Sequence, residues 1–319
     1  MASKPKEGLK SRIKRLFYTV VEPPPPPANV PQMRRDWSIG IYVGNSPLAF
    51  APAENIDNPV LTREHVSDVP AGFVADPFMI QVDHRWYMFF EVWNRQTQKG
   101  EIGFATSENG FLWAYQQIAL AEPFHLSYPY VFQWKNEWYM VPESLQVNSI
   151  RLYRATNFPR EWSFVKTLVE GRDYVDSSPV FLNDRWWLFT GLGPPPYRAN
   201  SMCLYYADEL TGRWREHRKS PIVKENAHIA RPAGRVLMFD GRVIRYAQDC
   251  EPGYGLQVRA FEITDLTTRR YHEREVNESP VLKASGVGWN ASGMHHIDPH
   301  LLDDGRWIAC VDGQIAFMA

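Results

Sequence analysis

Apolar and aromatic residues along this chain come in short runs that return at a steady interval, each opened by a polar or aromatic residue and a proline. The openings are Asp76-Pro77, Tyr128-Pro129, Ser178-Pro179, Arg231-Pro232 and Asp298-Pro299, with prolines 52, 50, 53 and 67 residues apart. In the first unit, Ala75 to Ile80 leads to Trp86 to Glu91, then Glu101 to Ala105, then Trp113. The second repeats it as Ser127 to Phe132, Trp138 to Glu143, Ser149 to Tyr153 and Trp162, and in both units a glutamate falls fourteen residues after the proline. The third unit is one residue shorter, and Gly191 takes the glutamate's place. Runs of four to seven such residues bounded by Asn, Asp, Gly or Pro read as buried strands and their turns. A unit of about 50 residues containing four of them reads as a propeller blade.

Five units predict an all-β, five-bladed β-propeller. The fourth is carried by Arg231-Pro232, Arg242 to Ala247 and Leu256 to Ile263, and the fifth by Asp298 to Leu302 and Trp307 to Val311. That last unit lacks a strand, and Ser38 to Tyr42 near the amino end matches Glu101 to Ala105 of the first unit. The ring is therefore expected to close through an N-terminal strand that joins the last blade, which removes free sheet edges. The expected division is a basic, proline-rich tail over residues 1–36 and one propeller domain over 37–319.

Composition narrows the function. With 319 residues, 44% apolar and 14% aromatic, the chain can bury a large single core. Its 35 basic and 36 acidic residues give no charge excess for nucleic acid. Cys203, Cys250 and Cys310 form no CxxC pair, which fits a reducing, cytoplasmic setting. Charge is uneven only at the amino end, where Leu9, Ile13, Leu16, Phe17 and Val20 recur at helical spacing among lysines and arginines before Pro23 to Pro27. A short amphipathic helix there predicts weak contact of residues 1–35 with an anionic membrane surface, and an otherwise disordered tail is the alternative.

The leading residue of each inner strand points to one mouth of the channel, so Asp76, Tyr128, Ser178, Arg231 and Asp298 are expected to meet there. Charged residues at such positions are costly as mere structure. Glu91 and Glu143 interrupt apolar strands, and Pro142 is expected to turn Glu143 toward the mouth. Trp93, Tyr128, Tyr197 and Trp289 fall outside the once-per-blade tryptophans and are candidate sugar platforms, walled by loops such as Gly191 to Pro196. His296, Asp298 and His300 share one strand face, but Pro299 between them strains joint ligation, so neither metal nor cofactor is expected. His296 and Asp298 are read instead as hydrogen-bond partners of a substrate.

Phe73 to Pro77 followed by Trp86 to Glu91 resembles the first blade of the arabinanase, xylosidase and invertase-like glycosidases. Trp37 to Tyr42, Asn58 to Thr62, His125 to Pro129 and Pro142 to Ser144 resemble more closely the amino-terminal domain of plant glucosamine inositolphosphorylceramide transferases and its free-standing bacterial relatives. The likeness covers about residues 37–313. In the plant proteins a glycosyltransferase domain follows, which this chain is expected to lack. The glycosidase pattern implies Asp76 as base or nucleophile and a third-blade aspartate, for which Asp176 lies two residues early. Arg231 stands where the pattern has its acid, so Glu143 is the expected acid, with Glu91 beside it and Asp298 as tuning carboxylate. Arg231 would clamp a phosphate or carboxylate, with His125, Tyr128, Asp176, Ser178 and His296 completing the ligand contacts. The expected function is a glycosidase-like propeller that recognises, and cleaves or transfers, a glycan or glycosyl-lipid head group. The alternative is a non-catalytic carbohydrate-binding or scaffolding propeller that serves a separate glycosyltransferase.

Overall fold

The computed structural model describes residues 33–193 and 199–318. The expected amphipathic segment, the proline tract Pro23 to Pro27 that follows it, the loop prolines Pro194 to Pro196 and Tyr197 lie outside the described residues. Two strands open the chain, β1 (Met33–Ser46) and β2 (Ala49–Pro52). Blade one is β3 (Ala71–Val82), β4 (Arg85–Asn94), β5 (Lys99–Ser107) and β6 (Ala114–Leu120). Blade two is β7 (Ser127–Trp134), β8 (Glu137–Glu143), β9 (Ser149–Asn157) and β10 (Glu161–Glu170). Blade three is β11 (Tyr174–Leu182), β12 (Arg185–Leu192), β13 (Ser201–Ala207) and β14 (Arg215–Glu216). In blade four the inner strand is broken into β15 (Arg231–Pro232) and β16 (Leu237–Phe239), followed by β17 (Arg242–Asp249) and β18 (Gln257–Leu266). Its outer edge is β19 (Tyr271–Glu275) and β20 (Leu282–Lys283).

The fifth blade takes β21 (Ile297–Leu301) and β22 (Trp307–Met318) from the carboxyl end and β1 and β2 from the amino end, in the order β2-β1-β22-β21. Its third strand is β1, in antiparallel register with Ile39 opposite Asp312 and Ile41 opposite Cys310. The N-terminal closure anticipated from Ser38 to Tyr42 is thus the observed one, and the strand starts earlier, at Met33.

Local chemistry explains why the blades repeat. Four of the inner hairpins turn on two residues that both have positive φ: Asp83-His84, Lys135-Asn136, Asn183-Asp184 and Asp240-Gly241. That backbone matches the right-handed twist of the flanking strands. The recurring tryptophans pack the blades as expected. Trp162 of blade two meets Phe89 of blade one edge-on at 5.4 Å, and Trp186 of blade three lies against Phe132 and Trp134 of blade two. The outer-strand indoles of Trp113, Trp162 and Trp214 each donate to a carbonyl of the preceding turn at 3.0 Å, satisfying the buried N–H.

Candidate functional site

A shared irregularity at the start of the inner strands aims the polar residues. In blade one the register slips between Ala75, opposite Glu91, and Phe78, opposite Phe89. Blade two slips between Ser127, opposite Glu143, and Tyr130, and blade three between Val175, opposite Gly191, and Ser177. Asp76, Tyr128 and Asp176 sit in these bulges at φ 53°, 46° and 45°. Non-glycine residues adopt such a backbone at a cost, and its recurrence marks a feature that the fold retains for a purpose. The third blade is therefore led by Asp176. Ser178 was expected there because the prolines were aligned, yet the bulge, not the proline, sets the frame. The same register corrects the role given to Pro142. Phe90 holds the equivalent position in blade one, and Glu91 faces the same space as Glu143.

That space is a cavity of about 650 Å³ at one mouth of the channel, lined by Asp76, Glu91, Trp93, His125, Glu143 and Arg231. Tyr128, Asp176, Ser178 and His296 do not line it; they form the wall behind. The Tyr128 hydroxyl takes the Gly234 N–H at 2.7 Å and lies 2.8 Å from Ser178 Oγ, which itself donates to the Gly234 carbonyl at 3.0 Å. Gly234 is obligatory in this plug, because a Cβ would fall 1.8 Å from the Ile297 carbonyl oxygen and its φ is 139°. Other parts of the lining escaped the sequence reading, among them Ser127, Gln146, Tyr254 and, at the exposed rim, Arg35. Tyr254 lies in the loop after β17, outside the repeat, and carries no periodic signal.

The carboxyl groups of the cavity are held against ionisation. Burial, joined by the nearby Asp176 and Asp312 and only partly offset by His295 and Arg231, pushes Asp76 up to about 7. Burial and the surrounding carboxylates push Glu91 and Glu143 well above the ordinary range. Asp76 Oδ1 has no hydrogen-bond partner among the described residues; His295 Nε2 lies 3.7 Å and His296 Nδ1 3.9 Å from it. His125 Nδ1 accepts the Gly100 N–H at 2.8 Å, so its proton is on Nε2, which faces Glu91 at 3.6 Å. Burial pushes His125 down to about 4, with Lys99 and Arg231 adding to the effect, so the ring is neutral. Gly100 makes that contact possible, since a Cβ there would meet the Leu126 carbonyl at 2.3 Å and both side chains at 2.7 Å.

Arg231 is not an open clamp. Its Nε donates to Asp176 at 2.5 Å, its Nη2 reaches Asp176 at 3.3 Å and Glu143 at 3.5 Å, and its guanidinium lies over the Tyr254 ring at 5.2 Å. Asp176, also bound by Gln248 at 2.7 Å, anchors this arginine behind the cavity. Asp298 departs further from expectation. It lies deeper along the channel, where it accepts the Met79 N–H at 2.8 Å, Arg235 Nε at 2.8 Å and His300 Nε2 at 3.0 Å. Burial would raise it, but Arg235 and His300 hold it far below the usual carboxylate range. A carboxylate so occupied has no part in the cavity's chemistry. Trp289 likewise packs on Gly40 and Gly313 of the fifth blade, away from the cavity.

His296, Asp298 and His300 do not converge. Among the described residues, the donors close enough to share a cation are Asp76, His295 and Asp312, within 4.8 Å of one another. Asp312 is already engaged: it accepts the backbone N–H of Asp76, His295 and His296 at 3.0, 3.1 and 3.0 Å, and the His295 ring at 2.7 Å. His295, stacked on Trp37 at 4.0 Å, is thereby oriented toward Asp76.

The family described as "Glucosamine inositolphosphorylceramide transferase 1, N-terminal" matches residues 31–314. Glucosamine inositolphosphorylceramide transferase 1 of Oryza sativa subsp. japonica is 37% identical over 303 residues, covering 89% of this chain and 41% of the relative. The Arabidopsis thaliana protein of that name is 36% identical over 300 residues, covering 87% and 39%. The chain thus spans less than half the length of the curated relatives it matches. Among solved structures, the catalytic domain of Coprinopsis cinerea GH62 alpha-L-arabinofuranosidase is similar at TM-score 0.58 and 13% identity, over 89% of this chain and 98% of that one. A thermostable family-43 glycoside hydrolase gives 0.55 at 14%, over 83% and 96%. At these identities the likeness is one of fold.

Proposed function

This chain belongs to the family of glucosamine inositolphosphorylceramide transferase N-terminal domains, and from that premise we propose that its cavity binds the sugar of a glycan or glycosyl-lipid head group and acts on the glycosidic bond. One observation carries the proposal: three carboxyl groups on the first two blades, Asp76, Glu91 and Glu143, face one cavity with Trp93 beside them. Glycosidic cleavage or transfer needs one carboxyl group to protonate the leaving oxygen and another to attack or to activate the acceptor. The environments divide these roles. Asp76, at about 7, is the group that ionises near neutrality and serves as base or nucleophile. Glu143, held protonated by burial and by Asp176, serves as the acid. Trp93 offers an aromatic face to the sugar's C–H surface.

A second reading is favoured by the longer relatives, of which this chain matches 41%. It makes the propeller a carbohydrate-recognition module that works beside a glycosyltransferase. The experiment that separates the two measures binding and product formation on a panel of glycans and glycosyl-phospholipids, with wild type and Asp76→Asn. An active site predicts that Asp76→Asn lowers turnover by about 10³-fold and leaves binding nearly unchanged. Ligand bound by the wild type with no product at any enzyme concentration would leave the recognition module.

A further inference from the structure

We propose that the cavity side of the propeller docks on an anionic lipid surface through a two-stranded ribbon at the rim, an inference that goes beyond the glycan reading and does not depend on it. The ribbon continues the fifth blade. β21 pairs with β22 only as far as Val311, whereas β1 stays in register with β22 until Met33 lies opposite Met318. The two strands therefore run on past the inner strand, and their two faces differ. One carries Arg35, which lines the cavity, and Trp37, which stacks on His295. On the other, Trp289 covers Gly40 and Gly313, and by the two-residue period of a strand Ile315 and Phe317 follow Gly313 on that face. They are 37% and 40% exposed. Val287, in the loop that leads to Trp289, is 74% exposed.

A lone exposed apolar side chain means little, because most protein surfaces carry some. Here three stand beside concentrated positive charge. Residues 1–35, which lead into β1 and begin it, hold eight lysines and arginines against two glutamates, while the whole chain is balanced at 35 basic to 36 acidic. At the foot of the ribbon Arg35 and Arg95 are exposed, and Arg63 meets Asp36 at 3.1 Å. Shallow apolar side chains and a basic stretch are each weak membrane anchors alone, and the two signals together hold a protein at an anionic bilayer. A stable protein interface would instead bury about 800 Å² on each partner, far more than three side chains supply. Docking of this kind turns the cavity mouth toward the headgroups.

The test is flotation of the full chain with phosphatidylcholine vesicles, either plain or containing about 30 mol% phosphatidylserine. The chain is expected to float with the anionic vesicles alone and to be released as salt is raised. Ile315→Ser combined with Phe317→Ser should lower the partition coefficient about fivefold, and Lys10→Glu combined with Lys14→Glu about tenfold. Val287→Ser, on its exposed loop, repeats the apolar test if the double serine variant fails to melt cooperatively. Equal flotation on both kinds of vesicle, or none on either, overturns the proposal. Flotation of the serine variants at the wild-type level overturns it too, by leaving only a polybasic attraction without the ribbon. A concentration-dependent dimer that Phe317→Ser dissolves, with no flotation, reassigns the ribbon to a second copy of the chain. Glycan binding is measured without vesicles, so failure of that reading and failure of this one are told apart.

Discussion

The two stretches of the central channel hold buried carboxyl groups and treat them in opposite ways. At the cavity, Asp76, Glu91 and Glu143 crowd one another, and burial pushes all three up. Three residues further along β3, at Met79, Asp298 is equally buried but meets Arg235, His300 and a backbone N–H, and is held down. The deeper stretch is built for stability, because each charge has a partner and each lone pair a donor. The cavity is left electrostatically unresolved, and groups poised in that way are the ones that can exchange protons with a substrate. Between the two lies the plug of Tyr128, Ser178 and the Gly234 backbone.

The largest effect that would break this contrast is at the deep stretch. Asp298→Asn leaves the half-buried Arg235 without its counter-ion and should cost about 3 kcal/mol in denaturant unfolding; a loss within experimental error would show that the pair is not structural. Gly100→Ala comes next. The added methyl group meets the Leu126 carbonyl, Glu91 and His125, so stability should fall by about 1–3 kcal/mol and ligand affinity with it. Unchanged binding in a folded Gly100→Ala protein would remove His125 and Glu91 from the site. The third change has the opposite sign. Glu91→Gln relieves crowding and should stabilise the fold by about 1 kcal/mol at neutral pH while weakening function.

The smallest and most discriminating effect is the pH dependence of stability. Asp76, Glu91 and Glu143 bind protons more tightly folded than unfolded. Their contribution is therefore complete below the ordinary carboxylate range and declines as pH rises, for Asp76 between 3.8 and about 7. Asp298 and Asp312, held low, contribute fully above that range and lose it as the medium is acidified. Melting temperatures across this interval should show Glu91→Gln flattening the neutral limb and Asp298→Asn the acid limb. Parallel curves for wild type and both variants would mean that the two stretches are not electrostatically distinct.

Much of this was written in local pattern. The proline-led repeat and its glutamates placed Glu91 and Glu143 at equivalent points, and both face the cavity with Asp76. The likeness of Ser38 to Tyr42 to a third strand placed β1 in the fifth blade. The reading slipped where local pattern misled. Pro179 suggested Ser178 as the head of blade three, whereas the bulge sits at Asp176. Asp298 shares its Asp-Pro signature with Asp76 and nothing of its environment.

The sequence by itself determined five blades, their strands, the closing strand and the carboxyl groups that head blade one, because strand period and turn chemistry act over a few residues. Only the tertiary structure decided which carboxyl groups are neutralised and which are crowded together at the cavity. Arg235 reaches Asp298 across 63 positions, and Asp312 receives the Asp76 N–H across 236. Ionisation is a through-space property, set by whichever charges and dipoles ring closure brings together, and no repeat along the chain encodes those distances.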